Sequence, residues 1–354
     1  MKRSTLVGAV VAAVAVIGIG AAVITNNQAS KKGAYSVALV TSTGGVDDKS
    51  FNQSAWAGIK KYGEQNGLKQ GVNGYSYFVS NDSSEIKSNL QQAVKANYKL
   101  VVGISFMGGP AMKQVAKANP KTQFAMVEAE VPYKNAVSIM FKSEQSSYLA
   151  GVAAATASKT GKIGFVGGVK GEVLNHFEAG FKAGVLATNP KATFVSQYAN
   201  TFTDAAKGKT IAAAMYASGV DVIFQAAGAT GNGVFAEAKA ENQATTADKK
   251  VWVVGVDMDQ KADGNYTTKD GQKSNFTLAS AIKRVDNAVV LVANQGKKGN
   301  FPGGKTVTYG LKEKGVDIAR DSMPDNAWQA AQKAKQQILA GKISVPTDPT
   351  KVKQ

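Results

Sequence analysis

The chain has 354 residues and carries 42 Lys or Arg against 25 Asp or Glu, for a formal net charge of +17. Its length admits two domains with separate cores, since single domains usually run about 100 to 200 residues. The absence of cysteine excludes disulfides, thiolate chemistry, cysteine zinc sites and lipid attachment through a cysteine.

The charge is compatible with nucleic acid, an anionic membrane or a wall polyanion as partner. The lysines are spread over the whole length rather than gathered in a stripe with interleaved aromatics, so no nucleic-acid partner is expected. Met1-Lys2-Arg3 leads into nineteen uncharged, mostly apolar residues from 6 to 24, the basic and hydrophobic parts of an export signal. That run is long for a cleaved signal and long enough to cross a bilayer. A retained anchor is the preferred reading and cleavage near Ala22 or Ala29 the competing one. Either places the protein on the extracytoplasmic face of the cell membrane, with 25–33 as a polar spacer.

From Tyr35 onward short β-branched runs alternate with longer amphipathic stretches, the signature of parallel sheets covered by helices. Strands are predicted at 36–41, 74–79, 100–104 and 123–127, with helices at 54–66, 83–96 and 110–118. After a small-residue helix at 147–158 the pattern repeats, with strands at 162–166, 193–198, 220–225 and 251–256 and helices at 175–187, 207–217 and 233–241. The remainder offers a helix at 284–296, a strand at 306–311 and a charged helix at 325–340, too little for a third domain. The expected organisation is α/β, two doubly wound lobes joined by a hinge. The segment 1–34 is signal or anchor with spacer, 35–146 with about 284–322 forms the N-terminal lobe, and 147–283 with about 323–354 the C-terminal lobe.

In open parallel sheets ligands gather beyond the carboxyl ends of the strands. The first such end, Thr41 to Gln53, holds groups able to grip a small polar ring system. Phe51 can stack on it, Asn52 can donate and accept at its edge, and Asp48 can accept hydroxyl hydrogens. The alternative is that Asp48 caps the following helix while Phe51 packs beneath it. A second glycine-rich turn, Gly228-Ala229-Thr230-Gly231-Asn232-Gly233, lacks the dinucleotide spacing. The string from Gly299 to Thr306 matches a phosphate loop on paper, but leads into a strand rather than a helix. His176 is the only histidine and reads as a helix-surface residue with no serine elbow to serve. Asp257 and Asp259 stand two apart at a strand end and point different ways, so paired acid–base chemistry is not implied.

Six strings in this order resemble the basic membrane protein family, whose characterised branch includes purine nucleoside receptors. They are Asp48-Lys49-Ser50-Phe51-Asn52-Gln53, Tyr148-Leu149-Ala150-Gly151, Lys162-Ile163-Gly164-Phe165-Val166-Gly167-Gly168, Ala227-Gly228-Ala229-Thr230-Gly231, Gly255-Val256-Asp257-Met258-Asp259-Gln260 and Lys283-Arg284-Val285-Asp286. The resemblance implies a type I periplasmic-binding-protein fold that clamps a purine nucleoside between two lobes and delivers it to the permease subunits of an ABC importer. It implies no catalysis, no cofactor and no metal. It places stacking rings at Phe51 and Phe224, the base contact at Asn52, ribose contacts at Asp257 and Lys283, and close backbone approach at Gly228. Glu128 stands where many members end the fourth strand in aspartate, and 266–275 is an insertion before Lys283. A monomer is expected, because a clamp must open and close freely. The alternatives are a receptor of the same fold for a sugar or signalling molecule and a nucleoside-processing enzyme.

Overall fold

The computed structural model describes residues 33–353, so the expected signal or anchor lies outside the described residues. The first half runs β1 (Val37–Thr43), α1 (Phe51–Gln65), β2 (Tyr75–Ser80), α2 (Glu85–Lys95), β3 (Leu100–Ile104), α3 (Gly109–Ala118), β4 (Gln123–Val127) and β5 (Ala136–Phe141). Next come α4 (Ser143–Ala157), β6 (Lys162–Gly167), α5 (Glu172–Thr188), β7 (Thr193–Tyr198), α6 (Ala205–Ala217), β8 (Val222–Ala226), α7 (Gly231–Gln243) and β9 (Trp252–Asp257). A short hairpin of β10 (Asn265–Thr267) and β11 (Lys273–Asn275) precedes β12 (Thr277–Lys283). The chain closes with α8 (Val285–Lys297), β13 (Thr306–Tyr309), β14 (Val316–Ala319) and α9 (Asp325–Leu339).

Two six-stranded sheets result, ordered β13-β5-β4-β3-β1-β2 and β14-β12-β9-β8-β6-β7. The first is parallel throughout, and in the second only β14 runs antiparallel, against β12. Central strands such as β3 and β8 are buried at every residue, as helices on both faces require. The edge strand β7 is mostly exposed and correspondingly polar. In α2, Ile86, Leu90 and Ala93 form one buried stripe, the spacing of a helix lying on a sheet. The helix α4 is buried along nearly all its length because it meets α5, α9 and β12 together.

The chain passes between the sheets three times: at Lys142 between β5 and α4, at Arg284 between β12 and α8, and at 310–315 between β13 and β14. Backbone bonds tie these crossings to one another, from Lys142 N to Tyr309 O and from Arg284 N to Gly315 O. The last crossing corrects one expectation. Segment 316–319, assigned from sequence to the first lobe, is β14 of the second sheet, because its pairing with β12 carries it there. One core cluster runs across both lobes on the side of α1, α4, α5, α8 and α9. Separate clusters lie beneath α2 and α3 and beneath α6 and α7.

Candidate functional site

A cavity lies between the carboxyl ends of the two sheets, where ligands of open parallel sheets gather. Its walls include Asp48, Phe51, Asn52, Glu128, Gly228, Asp257 and Lys283, so seven of the eight residues singled out from sequence meet there. Phe224 does not. It is fully buried inside β8, in ring contact with Phe165, Phe177 and Phe181. Its strand position faces the layer of α5 instead of the cavity. The rings that join Phe51 on the walls are Phe106, Phe177 and Phe202.

Backbone geometry at the strand ends aims these side chains. Ser105 after β3, Glu128 after β4 and Asp257 at the end of β9 have φ of 79°, 67° and 64°, left-handed values that most L-residues avoid. Gly228, after β8, has φ 56° at no steric cost. All four line the cavity. Unfavourable backbone states held at one place mark a site where the surrounding structure over-determines the chain. Gly168 acts differently: a Cβ there would lie 2.1 Å from the Phe202 ring, so its lack of a side chain is what admits that ring.

The first wall is a closed hydrogen-bond knot. Asp48 Oδ1 accepts from Ser50 N and Gln53 N, each at 3.0 Å, and Asp48 Oδ2 accepts from Asn52 N and Asn52 Nδ2, each at 2.9 Å. Asn52 Oδ1 accepts from Ser42 N at 2.9 Å and its amide also donates to Thr43 O at 3.2 Å. Asp48 therefore serves the helix N-terminus of α1, the alternative left open by the sequence. Asn52 braces the loop with both amide hydrogens committed, which leaves one lone pair on Oδ1 for a ligand. Burial pushes the Asp48 carboxyl above its ordinary range, opposed by the backbone bonds from Asn52, Gln53 and Ser50.

The second wall carries charge. Lys283, 3 % exposed, ends β12 with its Nζ 2.5 Å from Glu128 Oε1 and 2.9 Å from Asp257 Oδ1. The Asp257 Oδ1 contact is close enough for an ion pair but misaligned for a hydrogen bond. Asp257 Oδ2 accepts from Ser50 Oγ at 2.6 Å. The ammonium also sits over the rings of Phe51 at 4.4 Å and Phe177 at 5.0 Å, which a cation–π attraction favours. Burial works to lower the Lys283 pKa, but Asp257 and Glu128 outweigh it and hold the amine protonated. Burial likewise raises Glu128, with Lys283 opposing.

Several contacts join the lobes around this charge. Glu128 belongs to the first sheet and Lys283 and Asp257 to the second, so the Lys283–Glu128 pair spans them. Ser50 to Asp257 crosses the same way, as do Gln260 Nε2 to Lys49 O at 3.0 Å and Lys49 Nζ to Asp263 at 2.6 Å. The Lys49 pair is exposed and contributes little, on the order of 0 to 1 kcal/mol. The buried members carry the coupling.

This arrangement, two α/β lobes closed over a cavity lined by rings and a buried ion triad, is that of a solute-binding protein of the periplasmic-binding-protein type. A solute-binding protein of an ABC transporter system from Aeropyrum pernix K1 has the same fold, with a TM-score of 0.75 at 25% identity over 90% of this chain and 95% of that one. Residues 35–349 match the family described as ABC transporter substrate-binding protein PnrA-like, and the chain belongs to this basic membrane protein family. Among its relatives, the ABC transporter nucleoside-binding protein BmpA of Lactococcus lactis subsp. cremoris is 49% identical over 311 residues, 88% of each chain. The CD4+ T-cell-stimulating antigen of Listeria monocytogenes serovar 1/2a is 49% identical over 318 residues, 89% of each chain. The expected fold and family are thus borne out, and with them a solute-binding role.

Phe106, Phe177, Phe202 and Ser105 were missed in the sequence. Phe106 follows β3 and Phe202 follows β7, so the strand-end rule that found Asp48 and Asp257 would have found both had it been applied there. Phe177 reaches the cavity from α5 and no local signal distinguishes it from a core phenylalanine.

Proposed function

We propose that this protein captures purine nucleosides between its lobes and delivers them to the permease of an ABC importer, without chemical conversion. The observation that carries this reading is the joining of ring faces and buried ions in one cavity, with Lys283 flanked by Phe51 and Phe177 and held by Glu128 and Asp257. A base stacked on aromatic rings gains about 1 to 3 kcal/mol per stacked face. Ribose hydroxyls can bond to the charged triad, and a buried polar group left unpaired by a deoxy analogue makes that analogue bind more weakly. The name of the Lactococcus lactis relative supports the nucleoside class. The protein is taken as a monomer tethered at the extracytoplasmic face of the membrane.

Titration calorimetry of protein unfolded and refolded to strip carried-over ligand, with adenosine, guanosine, inosine, cytidine and ribose, tests the reading. Binding of purine nucleosides at micromolar strength or better, weakened about 5- to 150-fold in Phe51→Ala, is the expected result. Binding of a sugar with no response to any nucleoside moves the protein to another ligand class within the same fold.

A further inference from the structure

We propose that the base of the first lobe, the end remote from the cavity, is a docking face for an anionic phospholipid surface. The strands of the first sheet all point the same way, so their N-terminal ends share one edge. The helices between them return in the opposite direction and end there too. Exposed lysines stand just ahead of four of these strands: Lys99 before β3, Lys121 before β4, Lys134 before β5 and Lys305 before β13. Lys95 and Lys117 occupy the last turns of α2 and α3. Among the described residues none of these six forms an ion pair.

The acids of this lobe gather at the other edge. Asp47 follows β1, Asp82 and Glu85 follow β2, and Glu130 follows β4. Near the base stands Glu64 at the end of α1, with Lys60 3.9 Å away. The lobe is therefore polarised: its base is positive, while its cleft edge mixes these acids with Lys49, Lys87 and Lys142. Helix dipoles favour cations at the ends of α2 and α3, but they give no reason for the lysines in the loops ahead of four strands. The base of the second lobe also has exposed lysines ahead of strands, Lys191 before β7 and Lys249 before β9, but acids stand among them. Asp221 there takes bonds from Ser158 Oγ and the backbone of Lys159 and Thr160, while Lys159 and Lys162 donate to the carbonyls of Asp248 and Ser218.

The chain's own layout selects a bilayer as the anionic partner over a wall polymer. The polypeptide enters β1 at this same edge, preceded in sequence by Lys31 and Lys32 and by the apolar run of 6–24. The residues 25–36 between the apolar run and β1 reach at most about 40 Å when extended. An apolar run held in a membrane keeps the basic face within that distance of the headgroups. Each lysine brought within a Debye length of an anionic leaflet strengthens the association about fivefold. Docked in this way, the lobe turns the mouth of its cavity away from the bilayer, so this contact and delivery to a permease exclude one another.

Lysine labelling on vesicles tests the proposal. The full-length chain is reconstituted into vesicles of phosphatidylcholine alone or with phosphatidylglycerol, acetylated, and read residue by residue by mass spectrometry. Lys99, Lys121, Lys134 and Lys305 are expected to label about fivefold more slowly or less on the anionic vesicles, with the difference lost at about 0.5 M salt. Lys333 and Lys342, exposed on and after α9, are expected to label equally on both. Equal labelling of the base lysines on both vesicles overturns the proposal. Protection by soluble poly(glycerol phosphate) without protection by anionic vesicles overturns it in favour of a wall polymer. In the variant K99Q/K121Q/K134Q/K305Q, Lys95 and Lys117 are expected to lose their protection; if they keep it, the contact lies elsewhere and the proposal fails.

Discussion

The two polar networks on the cavity walls are built on opposite plans. The Asp48 knot draws its donors from Ser50, Asn52 and Gln53, all within five residues and one lobe. The Lys283 triad brings together Glu128, Asp257 and Lys283 from distant parts of the chain and from both sheets. A local network is complete whatever the other lobe does, so it fixes the shape of a wall. A network shared between lobes exists only while they are closed. The first holds a surface in place; the second links closure to whatever occupies the cavity.

The sharpest way to break this contrast is Lys283→Met. Removing the ammonium leaves two carboxylates buried side by side, and loss of one partner from a buried pair costs about 3 to 5 kcal/mol. Denaturant unfolding is expected to show that loss, and nucleoside affinity to fall at least about a hundredfold by calorimetry. Affinity within a few-fold of the parent protein would remove the triad from the ligand's partners.

Glu144 shows what a buried acid does without such a cation. Its Oε2 makes no hydrogen bond, His176 Nδ1 stands 3.5 Å away, and burial raises its pKa from the usual 4.5 to about 7 against the opposing pull of its own backbone and Lys142. Burial holds His176 low, towards its neutral form, with Glu172 opposing. Because the folded value lies above the unfolded one, the protein binds the extra proton on folding. The stabilisation is full below pH 4.5 and is lost as pH rises through 7. Glu144→Gln is expected to be more stable than the parent at pH 8, by roughly 3 kcal/mol at most, with the advantage shrinking towards pH 5 in urea unfolding.

Phe51→Ala and Phe177→Ala sharpen the comparison from the apolar side. Each is expected to weaken purine nucleoside binding by about 1 to 3 kcal/mol. Phe224→Leu, behind the wall, is expected to lower stability with a much smaller effect on affinity. The smallest effect belongs to the knot. Asp48→Ala removes the acceptor at the start of α1 and is expected to cost about 1 kcal/mol in thermal or denaturant unfolding, with a modest loss of affinity as the Asn52 loop relaxes.

The alternation of strands and helices was readable because each buried strand is a short apolar run between amphipathic helices; β3, β4 and β7 fall at their expected bounds. The strand β5 escaped because no helix separates it from β4, which breaks the rhythm the reading relied on. The strand β12 follows a polar hairpin, and β14 is four residues with an aspartate inside, so neither stands out from loop sequence. At the cavity, residues immediately after strands were legible and the facing of a residue within a strand was not. Phe224 looked like a ring beside a glycine turn, yet the layer of α5 claims it.

The left-handed strand ends at Ser105, Glu128 and Asp257 separate where a side chain points from what it is. Ligand preference can therefore drift by exchange of the side chain alone, among residues that tolerate such a backbone, while the scaffold stays put. Serine, glutamate and aspartate already occupy these positions, asparagine and glycine suit them as well, and valine or isoleucine would unseat the strand end before any ligand was met. A saturation library scored for folding alone should already carry this imprint, so the outline of the binding surface is written into stability as well as into recognition.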